Sequence, residues 1–254
     1  MNTLSIDIGN SGIKVDSWTD DGLLWRELEG EVSVDDIMEE VESLNIKGII
    51  VSTVRKDSEG FISELKERFN DTLVEFTDEE IRKHYDLTAY HGKIGTDRYA
   101  AYLGAKMFVG ESPVMVVDIG TAMTIDVGDD KGIFRGGNIS LGFRGRLEGL
   151  AKSADNLPLV EDSESRTSFG YDTTTAILSG AINGICGEIE YSAKLAKEEF
   201  GIKTIIYTGG GKRFVSPCID KNIYAFTDKY LVGRGLDYHL RTHHLHVRVG
   251  YPQL

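Results

Sequence analysis

The chain has 254 residues, a hydrophobic fraction of 41% and only 4 prolines, so it is globular and long enough for two medium-sized domains, each with its own core. A formal net charge of −13 argues against a nonspecific nucleic-acid or anionic-membrane surface, which needs clustered Lys and Arg; a small anion held by local donors is still allowed. No apolar run approaches the roughly 18 residues of a membrane span, and the N-terminus enters a strand at Thr3 without a basic leader or cleavage site, so the expected compartment is the cytoplasm.

Residues 3–8, 12–18 and 23–29 read as three short strands joined by turns at 9–11 and 20–22. An acidic helix follows over 34–44, started by Ser33 or Asp35. Next come a β-branched strand at 46–54, an amphipathic helix at 58–69 with Phe61, Leu65 and Phe69 on one side, and a strand at 72–76. A helix at 96–109 leads into the second half, where the order restarts. Strands are expected at 114–118, 123–127 and 132–135, helices at 144–151 and 173–200, a strand at 203–208 before Gly209-Gly210-Gly211, a strand at 224–226 and a last helix at about 228–241. The repeated order predicts a duplicated α/β fold with domains 1–112 and 113–254.

The two cysteines, Cys186 and Cys218, lack metal or CxxC spacing and read as packed thiols. Residues 239–248 hold four of the six histidines. His239 and His243 share a face if helical, but no acid or Cys accompanies them in the sequence, so a C-terminal extension is expected there rather than a metal site.

Two segments carry chemistry. Asp7-Ile8-Gly9-Asn10-Ser11-Gly12-Ile13-Lys14 and Asp118-Ile119-Gly120-Thr121-Ala122-Met123-Thr124-Ile125-Asp126 each run from an apolar strand through Asp-x-Gly into a polar turn and out along a second strand. Gly9 and Gly120 let consecutive N–H groups face an anion, while Asn10, Ser11, Thr121 and Lys14 add donors and charge. The carboxylates of Asp7 and Asp118 would repel phosphate, so a cation is expected between them and it. The pair reads as a nucleotide triphosphate held with metal between two half-sites. Either turn alone is an ordinary hairpin.

Three more segments narrow this. Gly95-Thr96-Asp97-Arg98, opening a small-residue helix, resembles the Gly-x-Asp-Arg motif of type III pantothenate kinases. The segment 118–126 resembles their Asp-x-Gly-Thr-Ala-x-Thr-x-Asp run. Gly136-Gly137-Asn138-Ile139-Ser140-Leu141-Gly142 and Ala154-Asp155-Asn156-Leu157-Pro158 resemble their Gly-Gly-x-Ile-x-Pro-Gly and Thr-Ala-x-Leu-Pro pair, with Leu141 in place of Pro and Ser153 in place of Thr. The resemblance covers nearly the whole chain.

It implies two ribonuclease-H-like, actin-like ATPase domains with the active-site cleft between them, and ATP-dependent phosphorylation of pantothenate by a homodimer. By resemblance Asp97 is the catalytic base, and Tyr90, Gly95, Thr96, Asp97, Arg98 and Thr173 contact pantothenate. Asp7 to Lys14 (Asp7, Ile8, Gly9, Asn10, Ser11, Gly12, Ile13, Lys14) and Thr121 bind ATP. Asp118 ligates a monovalent cation, potassium or ammonium, beside Mg2+ on the phosphates. The family's Tyr ahead of Gly-x-Asp-Arg is shifted here, with Tyr90 the nearest candidate and Tyr85 on its other side. Thr173 stands where a helix cap is also expected, on a helix that pairs subunits in the family. Rival readings are another phosphotransferase of the superfamily, such as a sugar kinase, or a non-catalytic regulatory relative.

Overall fold

The structure is a computed structural model that describes residues 1–21, 24–161, 167–211 and 223–247; Gly22 and Leu23 of the expected turn and strand, Cys218 and Arg248 lie outside them. In chain order the elements are β1 (Asn2–Gly9), β2 (Gly12–Trp18), β3 (Leu24–Gly30), α1 (Val34–Leu44), β4 (Ile46–Thr53), α2 (Glu59–Phe69), β5 (Leu73–Glu75), α3 (Asp78–His84) and α4 (Thr96–Val109). They continue with β6 (Val114–Ile119), β7 (Ala122–Gly128), β8 (Phe134–Leu141), α5 (Phe143–Ser153), α6 (Thr173–Phe200), β9 (Thr204–Thr208), β10 (Tyr224–Thr227) and α7 (Leu231–His243).

The two halves repeat one topology. The first sheet has the order β3-β2-β1-β4-β5 and the second β10-β9-β6-β7-β8, which is the same arrangement written from the other edge. In each, the leading hairpin is antiparallel and the first strand then pairs parallel with the strand after the helices. The mixed sheets follow from sequence. Leu4, Ile6 and Ile8 of β1 with Ile49 and Val51 of β4 are buried against Val34, Ile37 and Leu65 of the helices. Met115, Val117 and Ile119 of β6 meet Ile177, Ile185 and Ile189 of α6 in the second core. Burial of this apolar surface, about 25 cal/mol per Å², is what holds each sheet to its helices.

Helix ends follow local chemistry. The Ser33 side chain accepts from Asp36 N and the Asp36 carboxylate accepts from Ser33 N at 2.8 Å, a reciprocal capping box that starts α1, and Asn45 at φ 51° ends it. Two elements differ from the sequence expectation. α3 was not expected, because its seven residues are nearly all charged and only Ile81 is buried. β8 begins at Phe134, two residues later than the strand expected at 132–135, and runs on through Gly136 and Gly137 to Leu141; a Cβ on Gly137 would lie 1.8 Å from Ile125 O, so glycine there serves close strand packing.

The compact units also divide differently from a single cut after residue 112. The first comprises Met1–Glu111, Gly132–Phe134 and the chain from Tyr230, and the second Ser112–Lys131 with Arg135–Lys229. Thus α7 belongs with the first sheet. A Cβ on Gly104 would meet Leu231 O at 2.1 Å and one on Gly235 would meet Ala100 O at 1.8 Å, so the backbones of α4 and α7 touch. Arg241, fully buried on α7, donates from Nε to both Asp237 oxygens at 2.8 Å, and from Nη2 to Thr3 Oγ1 at 2.7 Å and Thr19 O at 2.6 Å. A buried pair this fully bonded fastens the last helix to β1, and removing one partner would leave the other charge stranded.

Cys186 is disulfide-bonded, which corrects the expectation of a thiol there. Among the described residues no helix is long and apolar enough to cross a membrane.

Candidate active site

In the first unit the polar turn is closed by the β1–β2 register, with Asp7 opposite Lys14, Ile8 opposite Ile13 and Gly9 opposite Gly12. Gly12 has φ +152°, at the edge of the region that favours glycine. Asn10 and Ser11 are exposed at the tip. With Gly12 and Ile13 they line an open cavity of about 1190 Å³, whose other wall includes Arg55 and Lys56. Lys14 Nζ is 3.7 Å from Glu29 Oε1 with both groups partly exposed, a pairing too weak to hold the lysine away from an anion. Arg55 and Lys56 were not singled out from sequence. The available signal was their position just after β4, which runs parallel to β1 and therefore ends at the same sheet edge as the turn.

The Gly95-Thr96-Asp97-Arg98 segment opens α4 at that edge. Ser52, whose Cα partners Asp7 in the parallel ladder, donates to Thr96 Oγ1 at 2.7 Å, and Thr96 donates to Thr53 O at 3.3 Å. Gly95 is the N-cap without a side-chain cap, and a Cβ there would lie 2.7 Å from Asp97 Oδ1. Glycine makes room for the carboxylate. Asp97 is half-buried, and burial pushes its carboxyl above the usual aspartate range, against the Arg98 N–H that donates to Oδ1 at 2.8 Å and the Arg98 charge.

Arg98 is buried, donates from Nη1 to Tyr90 Oη at 3.2 Å and lies 5.7 Å from the Tyr90 ring centroid. Tyr90 in turn packs edge-on against Phe134 at 5.5 Å. Tyr85 points elsewhere, with its hydroxyl 3.1 Å from His239 Nδ1. Tyr90, Thr96, Asp97 and Arg98 are therefore gathered in one place, and Tyr85 is not among them.

In the second unit Asp118 lies on β6 opposite Thr124 of β7 and beside Thr208 of β9. The turn is tight, with Gly120 N donating to Ala122 O at 2.9 Å and Gly142 N donating to Thr121 O at 3.1 Å. Thr121 is exposed. Glycines crowd this turn for steric reasons. A Cβ on Gly142 would sit 2.0 Å from Gly120 O, and one on Gly209, at φ +80°, would sit 2.3 Å from Asp118 Oδ1 and 2.6 Å from Ile119 O. Glycine at 142 and 209 thus lets the backbone approach the Gly120 carbonyl, the Asp118 carboxylate and the Ile119 carbonyl closely.

Thr173 is the first residue of α6 and is exposed. The cap is made by its neighbours: the Asp172 carboxylate accepts from Thr175 N at 2.8 Å and Thr175 Oγ1 accepts from Asp172 N at 3.1 Å. Near and along that helix Phe169, Tyr171, Tyr191 and Leu195 are exposed at 88%, 78%, 64% and 43%.

Two copies of one five-stranded α/β unit, each with an Asp-x-Gly turn at the end of its first strand, define the two-domain fold of the sugar kinases and actin-like ATPases. Solved structures agree on the fold. A protein described as a Baf family transcriptional activator from Campylobacter jejuni superposes with a TM-score of 0.61 at 23% identity, covering 94% of this chain and 98% of the other. One described as a 2-dehydro-3-deoxygalactonokinase from Sinorhizobium meliloti gives 0.57 at 14%, covering 94% and 98%. The sequence profile of type III pantothenate kinases matches residues 3–194, and the chain belongs to that family. Relatives named type III pantothenate kinase include one from Phocaeicola vulgatus, 32% identical over 92% of this chain and 96% of the relative, and one from Christiangramia forsetii, 30% identical over 91% and 95%. Another, from Azobacteroides pseudotrichonymphae, is 39% identical over 57% of this chain and 58% of its own length.

Proposed function

We propose that this protein transfers the γ-phosphoryl group of ATP to the primary hydroxyl of pantothenate, with Asp97 as the proton acceptor. The observation that carries the reading is the state of Asp97. It is a carboxylate raised in pKa by burial, beside a buried arginine stacked on Tyr90, at a helix start hydrogen-bonded to the strand next to the phosphate turn. A base whose pKa is drawn towards neutrality matches an alcohol proton better than a free carboxylate does. As the hydroxyl oxygen bonds to the γ-phosphorus, its proton passes to Asp97, and the bond from phosphorus to the bridging oxygen breaks to release ADP. Arg98 and Tyr90 offer a cation and a hydroxyl to the pantothenate carboxylate and polar groups.

Asn10, Ser11 and the backbone of 9–12 are the proposed donors to the phosphates, with Lys14, Arg55 and Lys56 as nearby positive charge. Thr121 is the proposed contact to ATP in the second unit. Asp7 is suited to a magnesium shell, and Asp118 with the carbonyls around it to potassium or ammonium. When bound, these ions would supply positive charge against the β- and γ-phosphates. The expected cytoplasmic setting follows from a soluble metabolic substrate.

We further infer a homodimer in which Thr173 serves the partner subunit's site. The exposed Phe169, Tyr171, Tyr191 and Leu195 supply an apolar surface around α6, and the capping work done by Asp172 and Thr175 leaves Thr173 available for a ligand. Mixing Asp97→Asn and Thr173→Val subunits should restore activity in a dimer with shared sites, because both lesions then fall in one site. No recovery despite proven exchange, or a monomer by sedimentation, rules sharing out. For the reaction itself, mass spectrometry of ATP, magnesium and pantothenate incubations in potassium should show 4′-phosphopantothenate, with much less in sodium. Phosphorylation of a sugar in place of pantothenate would overturn the substrate assignment.

A further inference from the structure

Four metal-binding side chains meet in the first unit, away from the phosphate turn. Glu80 and His84 stand one turn apart on α3, and His239 and His244 come from α7 and the residue that ends it. The four ligand atoms all lie within 4.8 Å of one another. Glu80 Oε1 is 2.9 Å from His84 Nε2, 3.3 Å from His239 Nε2 and 2.8 Å from His244 Nε2. Sequence reading found no acid to accompany the C-terminal histidines because the acid is supplied by α3.

We propose that Glu80, His84, His239 and His244 form a structural site for a divalent transition metal, zinc in the first place, that clamps the end of α7 to α3. Three imidazole nitrogens and one carboxylate oxygen are a four-coordinate zinc set, and imidazole selects such ions over magnesium or potassium, which prefer oxygen. Hydrogen bonding alone does not account for the convergence. One carboxylate oxygen has two lone pairs, yet three imidazoles are aimed at it. His84 Nε2 is the atom left over: it is buried and makes no hydrogen bond, being 2.9 Å from the oxygen but outside hydrogen-bonding geometry.

The outer contacts fit as well. His239 is fully buried, and its Nδ1 is 3.1 Å from Tyr85 Oη. An Nδ1–H donated to that phenol oxygen leaves the Nε2 lone pair for a metal, the usual way a ligating histidine is oriented. His84 and His244 have side-chain exposures of 18% and 28%, enough for an ion to enter. With all four positions filled by protein the site is structural. Its link to the substrate side runs through Tyr85, whose ring lies 5.3 Å from that of Tyr99, the residue after Arg98.

The test uses the full chain stripped with a chelator and titrated with zinc by calorimetry and with cobalt(II) by visible absorption. Wild type and His91→Ala, a surface histidine elsewhere, are expected to take one zinc per chain and to give the intense absorption of tetrahedral cobalt. His244→Ala and Glu80→Gln, both at partly exposed positions, should bind at least about 10-fold more weakly. Zinc at about 100 times its dissociation constant should raise the wild-type unfolding temperature by about 5 °C or more, and this gain should disappear in His244→Ala. Equal zinc affinity in wild type, His244→Ala and Glu80→Gln, or an octahedral cobalt spectrum, would overturn the proposal. So would the absence of zinc binding at micromolar concentration.

Discussion

The Ser52 hydroxyl donates a 2.7 Å hydrogen bond to Thr96 Oγ1, and Ser52 is itself the ladder partner of Asp7. One side chain therefore links the strand beside the polar turn of residues 9–12 to the helix that carries Asp97. Ser52→Ala should cost about 1 kcal/mol of stability for the lost buried bond. It should also lower turnover by roughly 10-fold, because the start of α4 loses its fixed position. Urea unfolding and steady-state kinetics on the same preparation check both. Unchanged turnover with the expected stability loss would show that the bond holds the fold and does not position the base.

Asp97 gives a stability signature as well as an activity one. Its folded pKa is raised, so its contribution to stability is fully present below the unfolded value of about 3.9 and is lost as pH rises through the folded value. Above the folded value the ionised, half-buried carboxylate destabilises the protein relative to its protonated form. Asp97→Asn, which can still accept from Arg98 N–H, should then be at least as stable as wild type at pH 7, with the difference closing in acid. Its turnover should fall by roughly 100-fold or more. Thermal unfolding at neutral and acid pH checks the first expectation, and a less stable Asn variant at pH 7 contradicts it.

Tyr90 and Tyr85 separate cleanly. Tyr90→Phe removes the hydroxyl that meets Arg98 and should raise the KM for pantothenate by roughly 5-fold while leaving that for ATP alone. Tyr85→Phe, whose hydroxyl faces His239, should leave both unchanged. The reverse pattern would exchange the two assignments.

Gly209 and Gly210 form a matched pair next to Asp118. Alanine at 209 must adopt φ +80° and would place its Cβ 2.3 Å from Asp118 Oδ1, whereas at 210 nothing lies within 4 Å. Gly209→Ala should abolish stimulation by potassium and Gly210→Ala should keep it. Activity compared in potassium and sodium salts is the measurement, and equal stimulation in both variants would remove the cation from the neighbourhood of Asp118.

The strands and long helices were legible where local chemistry acts alone. α1 spans 34–44 as expected because Ser33 and Asp36 cap it, and α6 spans 173–200 because Asp172 starts it and Gly201, at φ 68°, stops it. The candidate site motifs could be picked out because they are contiguous, as in Gly95 to Arg98. What sequence did not yield depends on contacts between distant residues. The packing of α7 with the first sheet rests on Gly104 and Gly235, which in sequence are only small residues in helices. That Tyr90, and not Tyr85, lies beside Arg98 depends on contacts made only in the fold. The grouping of Glu80 with His244 needed α3, a helix too short and too polar for periodicity to reveal.

The most direct test of the account is ADP release by the purified protein with ATP and magnesium in potassium buffer, measured with and without pantothenate, for wild type and Asp97→Asn. Wild type should release ADP only when pantothenate is present, in equal amount to phosphorylated product, and Asp97→Asn should release it at a rate lower by roughly 100-fold or more. ADP release that is independent of pantothenate, or equal in the two proteins, would contradict the claim that Asp97 serves phosphoryl transfer to pantothenate.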